Sequence, residues 1–428
     1  MRAFQFYQVS RQIVLIIISI LLAKSSLSAA EIGIYELLLY ISYALTFFWI
    51  SGWLQSALVQ YNKLAPTEQP AFFSQLYLLF SGAAIAIFLL LNVAETALTQ
   101  FFASRPQLPH FQLFSTYVLV QIPTFLVENF YLLKKANREL WIYAVANIIL
   151  HLALVVIPVF LGYGLIGVIW GLLILVIIKH IWLLTQLWKY GSWAWKSALI
   201  KKIIILGMPL VGYAFISSFA LTFDNWLVNW WYVGDAEQFA IFRYGARELP
   251  VVFALANAFS TAMLPDVSAN LTQSLKDIKS KSKRLFHILF PISILGLLVS
   301  YPLFPLIFNE TFRASAAIFN VYLLIVSSRL LFPHTIVIGI GEGSFMAKVS
   351  IIELIINVLA SLIFVKYYGL VGIAFGTVIA YAFEKVAHVW YLRKYHQIRF
   401  AQYVDVKWFW GYTLILTLTY FLVEIYFS

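Results

Sequence analysis

The chain has 428 residues, 62% of them hydrophobic and only 11% charged, with no cysteine and a formal net charge of +11. Soluble domains carry about 25% charged residues, so the composition describes a polytopic membrane protein. The lack of thiols excludes disulfide frameworks, thiolate metal sites and cysteine nucleophiles.

A helix crossing about 30 Å of hydrocarbon needs about 20 residues. By that measure thirteen segments qualify, at roughly 10–29, 34–60, 72–95, 111–133, 140–161, 164–187, 203–232, 238–263, 285–308, 314–338, 347–366, 369–393 and 407–427. The first follows Met1, Arg2 and Arg11 without a small-residue cleavage site, and reads as a retained helix rather than a signal peptide. The runs are too long and too uniformly apolar for barrel strands, which alternate. The connections are short and leave no room for a soluble domain. The most basic of them, SLKDIKSKSKR at 274–284, reads as a loop anchored on anionic headgroups. The longest on the opposite side runs over about 96–110.

With the N-terminus inside, the inner ends and loops hold twenty Lys and Arg residues, among them Arg2, Arg11, Lys63, Lys134, Lys196 and Lys407. The outer loops hold three, Arg105, Arg313 and Lys366. This is a strong positive-inside bias. The surplus of positive charge is therefore topological, and no nucleic-acid surface is expected. Trp188, Trp193, Trp195, Trp408 and Trp410 fall near span ends, as an aromatic belt requires.

An internal repeat fixes the architecture. AEIGIY (30–35) returns as AEQFAIF (236–242), and GLIGVIWG (164–171) as GLVGIAFG (369–376), at offsets of 206 and 205 positions. Six spans followed by six more keep one orientation, so the halves are parallel repeats with a cavity between them. This divides the chain into an N-terminal six-helix lobe (1–195), a C-terminal six-helix lobe (196–400) and an extra helix (401–428). Gly164, Gly167 and Gly171, like Gly369, Gly372 and Gly376, recur at a spacing that lets helix backbones approach closely.

Three stretches then carry a family likeness: LSAAEIGIYELLLYISYALTFFWISGWLQSALVQY (27–61), LTFDNWLVNWWYVGDAEQFAIFRYGARELPVVFALANAFSTAMLPDVS (221–268) and YYGLVGIAFGTVIAYAFE (367–384). The chain resembles the bacterial polysaccharide transporters, the Wzx-type lipid-linked oligosaccharide flippases of the multidrug/oligosaccharidyl-lipid/polysaccharide exporter superfamily, over roughly residues 5 to 400. The resemblance implies two lobes in a V, alternating access, and a cavity lined largely by the first, second, seventh and eighth spans. Members commonly have twelve or fourteen spans. Either 407–427 is an unpaired extra helix with its C-terminus outside, or it lies at the interface.

An ionisable side chain at mid-membrane costs about 2.5–3.5 kcal/mol unless it is paired or hydrated. Arg243 and Arg247 stand i, i+4 on one face of the eighth span, a cationic ridge whose forks suit a diphosphate. The alternative is internal pairing with Asp224, Glu248 or Glu36. Lys24 ends the first span and either faces the cavity or snorkels to the interface. Asp224, Asn225 and Asn229 lie deep in the seventh span, and Asp224 either positions an Arg or takes part in cation coupling. Arg329 is a second cavity cation or half of a buried pair with Glu353. Glu36 aligns with Arg243 across the repeat, at an offset of 207, so the lobes place opposite charges at matching positions. Glu128 is expected to share the inner interface with Lys134, and Glu353 with Asn357 to hydrogen-bond between helices. No H-x-x-x-H or carboxylate spacing suggests a metal. Pro123, Pro209, Pro291 and Pro333 mark bend points inside spans.

The resemblance and the cavity cations point to a flippase, not an enzyme, in the bacterial inner membrane with its N-terminus cytoplasmic. Its cargo would be an undecaprenyl-diphosphate-linked oligosaccharide for O-antigen, capsule or exopolysaccharide. A polysaccharide polymerase and assembly machinery would be its protein partners. No cofactor is expected, and coupling to a Na+ or H+ gradient stays open. A drug or cation antiporter of the same architecture would instead have acidic residues dominating the cavity. A membrane glycosyltransferase or ligase needs a large outer loop or an acidic pair, and 96–110 offers Arg105 and His110.

Overall fold

The computed structural model describes residues 2–61, 63–192 and 197–427, which are helices joined by turns, with no strand among them. Trp193, Trp195 and Lys196, and with them the expected lobe boundary at 195/196, lie outside these residues. Contacts divide the chain into two units, Met1–Ala240 and Ile241–Ser428.

The first unit holds α1 (Arg2–Ala23), α2 (Ala29–Tyr61), α3 (Gln69–Val93), α4 (Glu95–Ala103), α5 (Phe111–Thr124), α6 (Leu126–Leu133), α7 (Asn137–Phe160), α8 (Gly164–Tyr190), α9 (Ser197–Trp231) and the start of α10 (Ala236–Gly245). The second holds the rest of α10, then α11 (Pro250–Ala269), α12 (Leu271–Ile307), a 3-10 turn (Glu310–Ala314), α13 (Ser315–Arg329), α14 (Pro333–Gly339), α15 (Gly343–Tyr395), α16 (Phe400–Tyr403) and α17 (Val406–Phe427). Among the described residues eleven helices are long and apolar enough to cross a membrane. α15 changes direction at Gly369 and contains two expected spans, and α9 covers the seventh, so each of the thirteen has its helix.

Several expected boundaries are corrected. The eighth span is not continuous: α10 stops at Gly245, residues 246–249 are irregular, and α11 starts at Pro250. Proline lacks an amide hydrogen and disfavours a helical residue before it, so it opens a new helix instead of extending the old one. The tenth span is interrupted in the same way before Pro333. Half of the expected outer loop 96–110 is the helix α4. The basic segment 274–284 is no loop but the first turns of α12. There the Asn270 side chain caps the helix by accepting from the Gln273 amide, and Gln273 and Lys281 both reach Asp277.

In the first unit α2 and α9 run antiparallel in close contact. Tyr40 donates to the Thr222 carbonyl and Ser56 to that of Ile203, at 3.2 and 3.1 Å. A Cβ at Gly52 would lie 2.6 Å from the Val211 amide nitrogen. Ser28 and Glu31 form a capping box at the start of α2, which accounts for the small polar run after Lys24. Glu128 does not share an interface with Lys134: it is buried, whereas the Lys134 ammonium lies 5.2–5.9 Å from the rings of Tyr61, Phe73 and Tyr190.

The repeat is visible in the backbone. Gly164 and Gly369, matching positions of the two halves, both adopt left-handed φ values, +58° and +55°, a conformation open to glycine at little cost. They are turn residues rather than packing residues. The later glycines are the contact points: a Cβ at Gly171 would strike the Leu154 carbonyl, and one at Gly376 the Ser361 side chain.

α17 belongs to the second unit. His287 meets Trp408 and Tyr412, Phe290 stacks on Tyr412, and Tyr301 stacks on Phe427. Residue numbers rise together along both helices, so α17 lies parallel to α12, and it is long and apolar enough to cross a membrane. Glu424 fastens the far end, accepting from Tyr301 Oη and Asn320 Nδ2, both at 2.8 Å. At the near end Lys283 meets Asp405 at 3.0 Å. Partial burial works to raise the Asp405 pKa, but the Lys283 ammonium and the Trp408 amide outweigh it and leave the carboxyl below its ordinary value.

Candidate functional site

The polar residues singled out in the sequence fall into one set in each unit. In the first, Asp224, Asn225 and Asn229 are all buried on α9, and Asn229 Nδ2 donates back to the Asn225 carbonyl at 3.0 Å. Glu36 is buried seven residues into α2, as Arg243 stands seven into α10. Lys24 is exposed in the turn just past α1. A small amide on a helix interior competes with the backbone.

In the second unit the helix break decides the geometry. Arg243 stands in the last turn of α10, but Arg247 lies outside it, so the two do not form a ridge along one helical face. Arg247 instead folds back, donating from Nε to the Arg243 carbonyl at 3.1 Å with its guanidinium 4.9 Å from the Tyr244 ring. A cation on the last carbonyls suits the negative end of a helix. Both arginines are half-buried and remain neighbours.

Arg329 pairs with Glu248, not Glu353. The contact is bidentate, Nε to Oε2 at 2.8 Å and an Nη to Oε1 at 2.6 Å. The same Nη donates to Tyr381 Oη at 3.2 Å, and the guanidinium lies 4.6 Å from the Tyr381 ring and 5.5 Å from that of Phe253. Glu248 sits in the break after α10, and Arg329 is the last residue before the break ahead of α14. One ion pair thus ties two interrupted helices together. With its fork filled by a carboxylate, Arg329 has the geometry of the buried-pair alternative, with Glu248 in place of Glu353.

Beyond the expected residues, Glu384, Lys385, His334 and His388 gather nearby, with Glu384 touching the other three. The E-x-x-x-H spacing at 384–388 places two of them on one helical face and was readable; the contribution of His334 from another helix was not.

A protein-family model described as "Polysaccharide biosynthesis protein" matches residues 7–317. The chain belongs to that family. Among curated proteins, this polysaccharide biosynthesis protein is similar to the "Probable low-salt glycan biosynthesis flippase Agl15" of Haloferax volcanii, 23% identical over 172 residues. That match covers 38% of this chain and 36% of the relative, so the chain spans only about a third of the relative's length. Among solved structures it is similar to a lipid II flippase MurJ in an inward closed conformation, with a TM-score of 0.69, 18% identity, and coverage of 100% of this chain and 99% of that one. It is also similar to an inward-facing multidrug resistance MATE family transporter of the MOP superfamily, with a TM-score of 0.65, 15% identity, and coverage of 90% and 93%. These likenesses establish an all-α polytopic membrane protein with the fold of that superfamily.

Proposed function

We propose that the chain is a flippase that carries a polyprenyl-diphosphate-linked oligosaccharide across the bacterial inner membrane by alternating access, with its N-terminus cytoplasmic. The observation that carries the reading is the presence, in a polysaccharide biosynthesis protein with a transporter fold, of two neighbouring arginines at a helix break. Ten residues of α10 precede the break, about 15 Å of helix, which is half the depth of a typical hydrocarbon core. Guanidinium forks at that depth suit the oxygens of a diphosphate.

In this scheme Arg243 and Arg247 receive the diphosphate, and Lys24 meets it near the outer surface. Arg329 shapes the site through Glu248. Asp224, Asn225, Asn229 and Glu36 supply buried polar groups to the first unit. The sugar follows the diphosphate while the polyprenyl tail stays in lipid. Binding is weak enough for release because only two forks engage the cargo. The name of the archaeal relative, a glycan biosynthesis flippase, and that of the lipid II flippase both support a lipid-linked cargo. A drug antiporter would place acids, not arginines, at this depth.

The test is replacement of Arg243 and Arg247 together by Ala. Surface polysaccharide should be lost while the protein still reaches the membrane, and normal polysaccharide would overturn the assignment.

A further inference from the structure

The cluster around Glu384 takes no part in the scheme above. His334 lies on α14, and Glu384 and His388 lie one turn apart on the second limb of α15. Glu384 Oε1 is 3.3 Å from His334 Nδ1 and 3.4 Å from His388 Nδ1, and the three atoms all lie within 4.8 Å of one another. The second carboxylate oxygen is held by Lys385 Nζ at 2.7 Å.

His388 is 1% exposed, yet neither of its ring nitrogens has a hydrogen-bond partner among the described residues. Its ring lies edge-on to those of His334 and Phe345, with centroids 5.7 and 5.8 Å away. An imidazole has one nitrogen that donates and one that accepts, and burying both unsatisfied is unfavourable. A simple hydrogen bond between His334 and Glu384 leaves that cost in place. A ligand reaching Nδ1 of His388 satisfies one of the two nitrogens.

We propose that His334, Glu384 and His388 form a binding site for a divalent transition-metal ion such as Zn2+. Ligand atoms at about 2.0–2.2 Å from a tetrahedral ion stand about 3.3–3.5 Å apart. Two of the three separations already have that length, and only the approach of the two imidazoles has to close. Two imidazoles and a carboxylate suit zinc and its neighbours in the first transition row; Mg2+ and Ca2+ prefer all-oxygen shells. Three protein ligands leave the fourth position to water. Lys385 fixes the far carboxylate oxygen and so aims the near one. His334, with 36% of its side chain exposed, is the way in. The bound ion clasps α14, the short helix after the second break, to α15.

The experiment uses the full chain in detergent, stripped with a chelator and titrated with Zn2+ or Co2+. About one Co2+ per chain should bind with the intense visible absorption of a tetrahedral site. His334→Ala and Glu384→Gln should abolish that absorption, and Lys385→Ala should weaken binding about 10–100-fold. His396→Ala should leave it intact, although His396 Nε2 also faces a carboxylate, Glu342, at 3.4 Å. His388→Ala risks misfolding, so the decisive variant is His334→Ala, whose unchanged melting temperature without metal shows that it is folded. Zn2+ should then raise the melting temperature of the wild type alone. Absence of stoichiometric Co2+, or equal affinity in His334→Ala and wild type, overturns the proposal.

Discussion

Arg329 and Glu248 form a pair whose energy can be worked from the structure. Their side chains are 23% and 19% exposed, so water screens the pair only in part. Removing one partner of a buried pair in a soluble protein costs about 3–5 kcal/mol, because the other charge is left stranded. Hydrogen bonds between membrane helices are weaker in double-mutant cycles, about 0.6 kcal/mol on average and up to about 1.7. Two charge-assisted bonds therefore place the coupling at about 2–3 kcal/mol. Globular proteins unfold with about 2.1 cal/mol/K of entropy per residue, or about 0.9 kcal/mol/K for 428 residues, so this coupling corresponds to about 2–3 °C. The assay is thermal unfolding in detergent of Arg329→Ala, Glu248→Ala and the double variant. Each single variant should melt lower than wild type, and the double variant should melt about 2–3 °C higher than the summed losses. Strictly additive losses would refute the pairing as the source of stability.

Two further outcomes test the packing and the topology. Gly171→Ala should destabilise by about 1–3 kcal/mol because its Cβ meets the Leu154 carbonyl. Gly82→Ala, with nothing within 4 Å of a new Cβ, should be neutral or stabilising by up to about 1 kcal/mol; equal melting of the two variants would refute the close approach. Reporters fused to the two ends of the chain should read out on opposite sides of the membrane, because α17 runs parallel to α12 as a thirteenth crossing. A C-terminal reporter on the N-terminal side would sink that reading.

The spans were legible because a bilayer demands about twenty apolar residues from each. The repeat was legible because two left-handed turns need glycine at the same place in each half. What hydropathy does not register is the backbone. Residues 238–263 read as one span despite Arg243, Arg247 and Glu248, and Pro250 is the signal that the helix restarts there. The basic stretch at 274–284 looked like a loop because charge is rare in a membrane span. Its capping Asn270 and the Gln273–Asp277 spacing were the contrary signals, and α12 runs on past the hydrocarbon. The partner of Arg329 was beyond reach of sequence, since Glu248 is 81 positions away and is brought close only by folding. The arginine pair read as a ridge on one helical face; a turn, and not a helical face, keeps Arg243 and Arg247 together.

The interruptions at 246–249 and 330–332 also have a consequence that needs no charged side chain. Hydrocarbon does not tolerate main-chain amides and carbonyls released from a helix, except where protein covers them or water reaches them. Here protein does much of that covering: the amides of Ala246, Arg247, Leu330 and Leu331 donate to carbonyls of the preceding turn, and Leu330 and Phe332 are buried.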